Sequence, residues 1–214
     1  MSAPRIGVLA LHGGVAEHGE ALAAVGAEPV EVRGARALPR LDGLVLPGGE
    51  STTVRLLAGR EGLVSGLGEL IAEGLPTLAT CAGLIALADR IEGGEEPLVG
   101  GLAVTVSRNA YGRQLASFEA PLAVPSLGPP PVEGVFIRAP RIVAWDERRV
   151  EVLAFHGEDP VLVRQGDILA AAFHPELTDD RRVHRLFVDD LVGARGTAAA
   201  IHDPLAEGAS RVRT

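Results

Sequence analysis

Apolar positions fall in short blocks divided by polar or glycine-containing turns, and their spacing switches between two periods. Arg5-Ile6-Gly7-Val8-Leu9-Ala10-Leu11 is almost continuously apolar, as a strand buried on both faces would be. The pattern then predicts a helix from about Val15 to Val25 and strands over Pro29 to Arg33 and Gly43 to Leu46. The third strand ends at Pro47-Gly48-Gly49, and Ser51 or Thr52 would cap a helix beginning there. A helix over Leu63 to Glu73, a strand over Pro76 to Thr80 and a helix over Ala82 to Ile91 follow. Strand–helix alternation of this kind predicts an α/β fold whose parallel sheet is covered on both faces.

Past this point the character changes. Leu102 to Ser107, Phe118 to Val124, Gly134 to Arg138, Val150 to Phe155, Val161 to Arg164 and Ile168 to Phe173 read as strands joined by Gly- or Pro-containing turns. Here a mixed, partly antiparallel arrangement is expected. A last helix is predicted from about Asp180 to Val192, so residues 1–192 form one domain and 193–214 an Ala/Gly-rich, charged tail. Gly128-Pro129-Pro130-Pro131 reads as a surface loop inside the domain.

Composition narrows the function. With aromatics at 3%, the core must be built from aliphatic side chains. A formal charge of -8 argues against non-specific nucleic-acid binding, which needs a basic surface. There is no signal-peptide core in the first residues and no run of 18 apolar residues, and a single cysteine cannot close an intrachain disulfide. A cytoplasmic location is the expectation.

Three segments carry candidate chemistry. In Thr80-Cys81-Ala82-Gly83 a strand runs into a cysteine and a helix leaves at once, with small residues where strand and helix must approach. Such an elbow lifts the side chain above the sheet, and the helix amides beyond it favour a thiolate. A lone cysteine is more often a small buried hydrophobe; its place at the elbow reverses that balance. Phe173-His174-Pro175-Glu176 follows another strand and supplies an imidazole base with a carboxylate two residues on, paired across extended backbone. A metal site is disfavoured because no second His or Cys stands at ligand spacing nearby. The turn Pro47-Gly48-Gly49-Glu50 lets backbone come close to a ligand, and the amides of Gly49 and Ala82 would pair as an oxyanion hole.

In this order and spacing the three segments resemble the class I glutamine amidotransferases, and most closely the glutaminase subunits of pyridoxal 5'-phosphate synthase. Further strings carry the closer resemblance: Ser107-Arg108-Asn109-Ala110-Tyr111-Gly112-Arg113-Gln114 and Val135-Phe136-Ile137-Arg138-Ala139-Pro140. The resemblance implies a three-layer, flavodoxin-like domain with a central mixed, mainly parallel sheet. It implies that Cys81 attacks the glutamine side-chain amide, His174 shuttles the proton and Glu176 holds His174. Gly48, Gly49, Glu50, Arg108, Ile137 and Arg138 would surround bound glutamine. It implies no metal and no cofactor, pyridoxal phosphate being a product. It also implies a partner, a (β/α)8-barrel synthase subunit in a large ring that receives the ammonia. Members usually carry glutamine where this chain has His12 and glycine where it has Ala79.

Other readings predict different features. The glutaminase of imidazole glycerol phosphate synthase would keep the triad but not the Arg108–Gln114 string. A cysteine-elbow stress protein or peptidase would place its histidine soon after the cysteine, whereas His174 lies 93 positions beyond Cys81. A binding subunit that had lost its activity would not be expected to keep all three residues.

Overall fold

The computed structural model describes residues 2–10, 13–38, 40–49, 62–108 and 117–194. The expected helix at Ser51 or Thr52, and all of the tail beyond residue 194, lie outside them. The first half follows the predicted alternation. It runs β1 (Arg5–Leu9), α1 (Val15–Ala24), β2 (Glu28–Val32), β3 (Gly43–Leu46), α2 (Leu63–Ala72), β4 (Thr77–Thr80) and α3 (Ala82–Leu87). Then come β5 (Ala88–Ile91), β6 (Leu102–Ser107), β7 (Ser117–Leu122), β8 (Val132–Ile137), β9 (Arg141–Trp145), β10 (Glu151–His156), β11 (Asp159–Gln165) and β12 (Ile168–Ala171). A short helix α4 (Arg182–Leu186) widens into a π-helical stretch over Phe187–Val192.

The main sheet has seven strands in the order β10-β11-β12-β4-β3-β1-β2. From β2 to β12 the strands are parallel, whereas β11 runs antiparallel to both β12 and β10. This is the expected central sheet, mixed and mainly parallel. Its middle strands β3, β4 and β12 are buried at every position, as strands covered on both faces must be. Two smaller sheets, β5-β6-β9 and the β7-β8 hairpin, hold the remaining strands. Phe136 of β8 stacks on Phe118 and meets Phe173 just past β12, which anchors the hairpin beside the carboxyl end of the main sheet.

Three expectations need correction. The helix after Cys81 ends at Leu87 instead of Ile91. Ala88 takes extended dihedrals, and Ala88–Ile91 pairs with β6, burying Ala88 and Ile91. Tertiary pairing overrides a locally helical sequence there. Strand β9 is unannounced by the pattern because only Ile142 of its five residues is buried. The last helix starts at Arg182, not Asp180. Asp180 stands before it, and its carboxylate accepts the Arg182 N–H at 3.0 Å and grips the Arg182 guanidinium.

Close approach at two places depends on small or unusual residues. A Cβ on Gly83 would sit 2.0 Å from the Leu46 carbonyl oxygen, so α3 can lie against β3 only with glycine there. Helices α1 and α4 meet through a buried pair of histidines, His18 Nδ1 and His184 Nε2 standing 3.0 Å apart. Burial lowers the pKa of both. For His18 the charge of Glu176 opposes burial without overcoming it, and His184 is held at about 3. Both are neutral inside the fold, whereas in the unfolded chain they protonate near 6.5.

Two outcomes follow. Replacing Gly83 with alanine pushes a methyl group into backbone that cannot rotate away, and should lower the urea midpoint by an amount equivalent to about 3 kcal/mol. For the histidine pair, the unfolded chain binds more protons below pH 6.5. Their contribution is therefore complete above 6.5 and is lost as pH falls, at up to about 1.4 kcal/mol per pH unit for each. Urea unfolding should show stability dropping between pH 6.5 and pH 5, and His184→Gln should flatten that drop.

Candidate active site

Adjacent strand ends bring the three candidate segments together. In the sheet β4 lies between β3 and β12, so the turn at Gly48, the elbow at Cys81 and the segment at His174 leave the same edge side by side. Open α/β sheets bind ligands at this carboxyl edge.

Cys81 sits at φ 48° and ψ -103°, a strained conformation for a residue with a side chain. Backbone on both sides holds it there: its N–H donates to Ala171 at 2.9 Å and its carbonyl accepts from Ile85 at 3.3 Å. The thiol is buried and lies 3.8 Å from the Ile137 carbonyl oxygen. Ile137 reaches it because the His174 N–H donates to the Val135 carbonyl at 2.8 Å, drawing the end of β8 over the elbow.

His174 Nδ1 donates to Glu176 Oε1 at 2.7 Å, and the glutamate is 3% exposed. The pairing is the expected one, but the backbone is not extended: Pro175–Leu177 forms a 3-10 turn that folds the carboxylate back under the ring. Burial by itself lowers the His174 pKa. Hydrogen bonds with Cys81 and Glu176, together with their negative charge, outweigh burial and push it up to about 10. Burial would raise Glu176, but the bond from His174, the nearby His18 and its own backbone N–H keep it below the usual carboxylate range. The result is a base whose proton, once accepted, is strongly held by its surroundings.

A Cβ on Gly48 would lie 2.4 Å from His174 Cε1 and 3.3 Å from the Cys81 Cβ, so this glycine is the floor on which both side chains rest. Its N–H donates to Thr80 Oγ1 at 3.1 Å. Gly49 has φ 150°, a conformation side chains rarely adopt, and Ala82 is the first residue of α3. Arg138 is exposed at φ 45°, next to Ile137. The Arg108 guanidinium pairs with the Glu95 carboxylate. Glu50 and His12 lie outside the described residues. Among those described, no group of three or more His, Cys, Asp or Glu is placed to hold a metal ion, and no helix is long and apolar enough to cross a membrane.

Sequence reasoning overlooked His18, Thr80 and His184, all fully buried behind Glu176. The available signal was a histidine three and four positions before Ala21 and Leu22, a polar residue on the apolar face of its helix.

The model of the SNO glutamine amidotransferase family matches residues 8–193. A protein of Frankia casuarinae named pyridoxal 5'-phosphate synthase subunit PdxT is 56% identical over 196 residues, covering 89% of this chain and 96% of its own length. One of the same name from Thermotoga neapolitana is 51% identical over 86% of this chain and 98% of its own. A crystal structure of a glutamine amidotransferase, 50% identical, superposes with a TM-score of 0.82 over 88% of this chain and 98% of that one. With its sheet, its elbow and nearly its whole length matched, the chain belongs to the SNO glutamine amidotransferase family.

Proposed function

We propose that this chain hydrolyses L-glutamine to glutamate and ammonia, as the glutaminase subunit of pyridoxal 5'-phosphate synthase. The observation that carries the reading is the buried 2.7 Å contact of His174 with Glu176, beside a cysteine on a strained elbow. Relatives 50–56% identical that bear the synthase subunit name support the choice of complex.

In this reaction Cys81 attacks the side-chain carbonyl carbon of glutamine as the thiolate, its proton already held by His174. The oxygen becomes an oxyanion, received by the amides of Gly49 and Ala82. His174 returns the proton to the departing nitrogen, ammonia leaves and a γ-glutamyl thioester remains. Water, deprotonated by His174 once the imidazole is neutral, cleaves the thioester and restores the Cys81 thiolate beside protonated His174. Glu176 keeps the imidazole oriented and stabilises its charge. Gly48, Glu50, Arg108, Ile137 and Arg138 surround the amino acid, a carboxylate suiting its ammonium and a guanidinium its carboxylate. For Arg108 this requires exchange of the Glu95 carboxylate for that of the substrate. Ammonia passes to a (β/α)8-barrel synthase subunit within a ring-shaped assembly, in the cytoplasm.

Ammonia release measured with the synthase subunit present tests the assignment. Cys81→Ala and His174→Ala should each lose at least roughly 10,000-fold, and the fold should survive in both. Glu176→Gln should keep measurable activity, and combining it with His174→Ala should add no further loss. Substantial turnover by folded Cys81→Ala would refute the reading. The free chain should be a poor glutaminase, since ammonia without a receiver wastes glutamine. One misdirected oxyanion amide withholds about 3–4 kcal/mol, or roughly 100–1,000-fold in rate. Docking should restore it, with the segment around His12 taking part. Equal rates with and without partner would contradict the gating, and unchanged activation in His12→Gln would show that side chain dispensable.

A further inference from the structure

Behind the proposed triad lies a second pair of imidazoles that hydrolysis, as described, does not use. Glu176 Oε1 accepts from His174, but Oε2 is buried and has no hydrogen-bond partner among the described residues. His18 Nε2, a donor-capable atom, stands 3.4 Å from it with both side chains fully buried. The same nitrogen is 3.2 Å from Thr80 Oγ1, and His18 Nδ1 is 3.0 Å from His184 Nε2.

Proton accounting decides between two arrangements. In one, Thr80 donates to His18 Nε2 and His18 Nδ1–H donates to His184. His184 Nδ1 would then carry a buried N–H with no partner, and Glu176 Oε2 would face a lone pair. In the other, His184 Nε2–H donates to His18 Nδ1, and His18 Nε2–H points at Glu176 Oε2 and Thr80 Oγ1. Only a bare ring nitrogen on His184 is left over. Orphaned buried N–H groups are rarer than under-used acceptors, and a buried carboxylate oxygen needs a donor. The second arrangement wins.

Resting on the glutaminase reading above, we propose that His18 is a positioning residue for hydrolysis. Its Nε2–H holds the second oxygen of Glu176, and His184 fixes the tautomer that puts the proton on that nitrogen. Thr80 extends the effect to the glycine turn, because its hydroxyl oxygen takes the Gly48 N–H and lies against His18. The carboxylate is thus gripped from α1 as well as from its own 3-10 turn, and cannot swing away when His174 becomes charged.

Steady-state glutamine hydrolysis by the full chain with its synthase subunit tests this. His18→Phe, which keeps the ring but not the donor, should lower kcat roughly 10–100-fold and leave KM within about twofold. His18→Gln places an amide N–H at the position of Nε2 and should recover most of the loss. A role in packing alone reverses that order, phenylalanine being the better filler. Nitrogen-15 shifts of labelled histidine in the wild-type chain should show His18 and His184 neutral and protonated on Nε2 at pH 7. Wild-type kcat in folded His18→Phe, or a proton on Nδ1 of His18, would overturn the proposal. Should His18→Phe not fold, the tautomer measurement decides alone. A wild-type complex that releases no ammonia would instead sink the glutaminase reading.

Discussion

A carboxylate buried in the interior is tolerated only where donors are fixed around it, and Glu176 imposes that demand on this molecule. Breaking a buried charged pair by removing one partner costs about 3–5 kcal/mol, so neither Glu176 nor His174 stands alone energetically. The demand explains the 3-10 turn at Pro175–Leu177, which trades extended backbone for a 2.7 Å contact. It also accounts for a polar side chain on the buried face of α1, where an aliphatic one would otherwise be favoured. Together with Cys81, whose hydrogen bond to the ring contributes most to the rise, the same charge makes His174 a strong base despite burial.

Glycine sets the remaining distances. At Gly83 the absence of a side chain lets α3 touch the backbone of β3, and at Gly48 it lets the His174 ring lie over the turn beside Cys81. Strand order does the rest: β3, β4 and β12 are neighbours, so segments more than ninety residues apart in the chain open onto one edge. Strain at Cys81 is held by hydrogen bonds to Ala171 and Ile85, one from each side of the elbow.

Much of this was legible in the sequence because buried strands and their terminating glycines leave local marks. The runs at Ile6, Leu44 and Leu78 announced the parallel core, and each candidate segment could be seen to follow a strand. What was not legible depends on partners distant in the chain. Ala88–Ile91 looks helical until β6 pairs with it, and β9 buries too little to alternate. The 3-10 turn is invisible in His-Pro-Glu, which reads equally well as extended. His18 and His184 are 166 positions apart and meet only because α1 and α4 pack together, so neither advertised the other. Arg108, expected around the substrate, is paired with Glu95, a contact that spacing alone does not suggest.

The central claim is that Cys81 attacks glutamine with His174 and Glu176 behind it. Rapid acid quenching of the chain with its synthase subunit and glutamine, followed by mass spectrometry of the Cys81 peptide, tests it most directly. The account predicts a transient adduct of one γ-glutamyl group on Cys81, formed and lost on the timescale of turnover. Ammonia release at the wild-type rate by Cys81→Ser, with no adduct on any peptide, would contradict it.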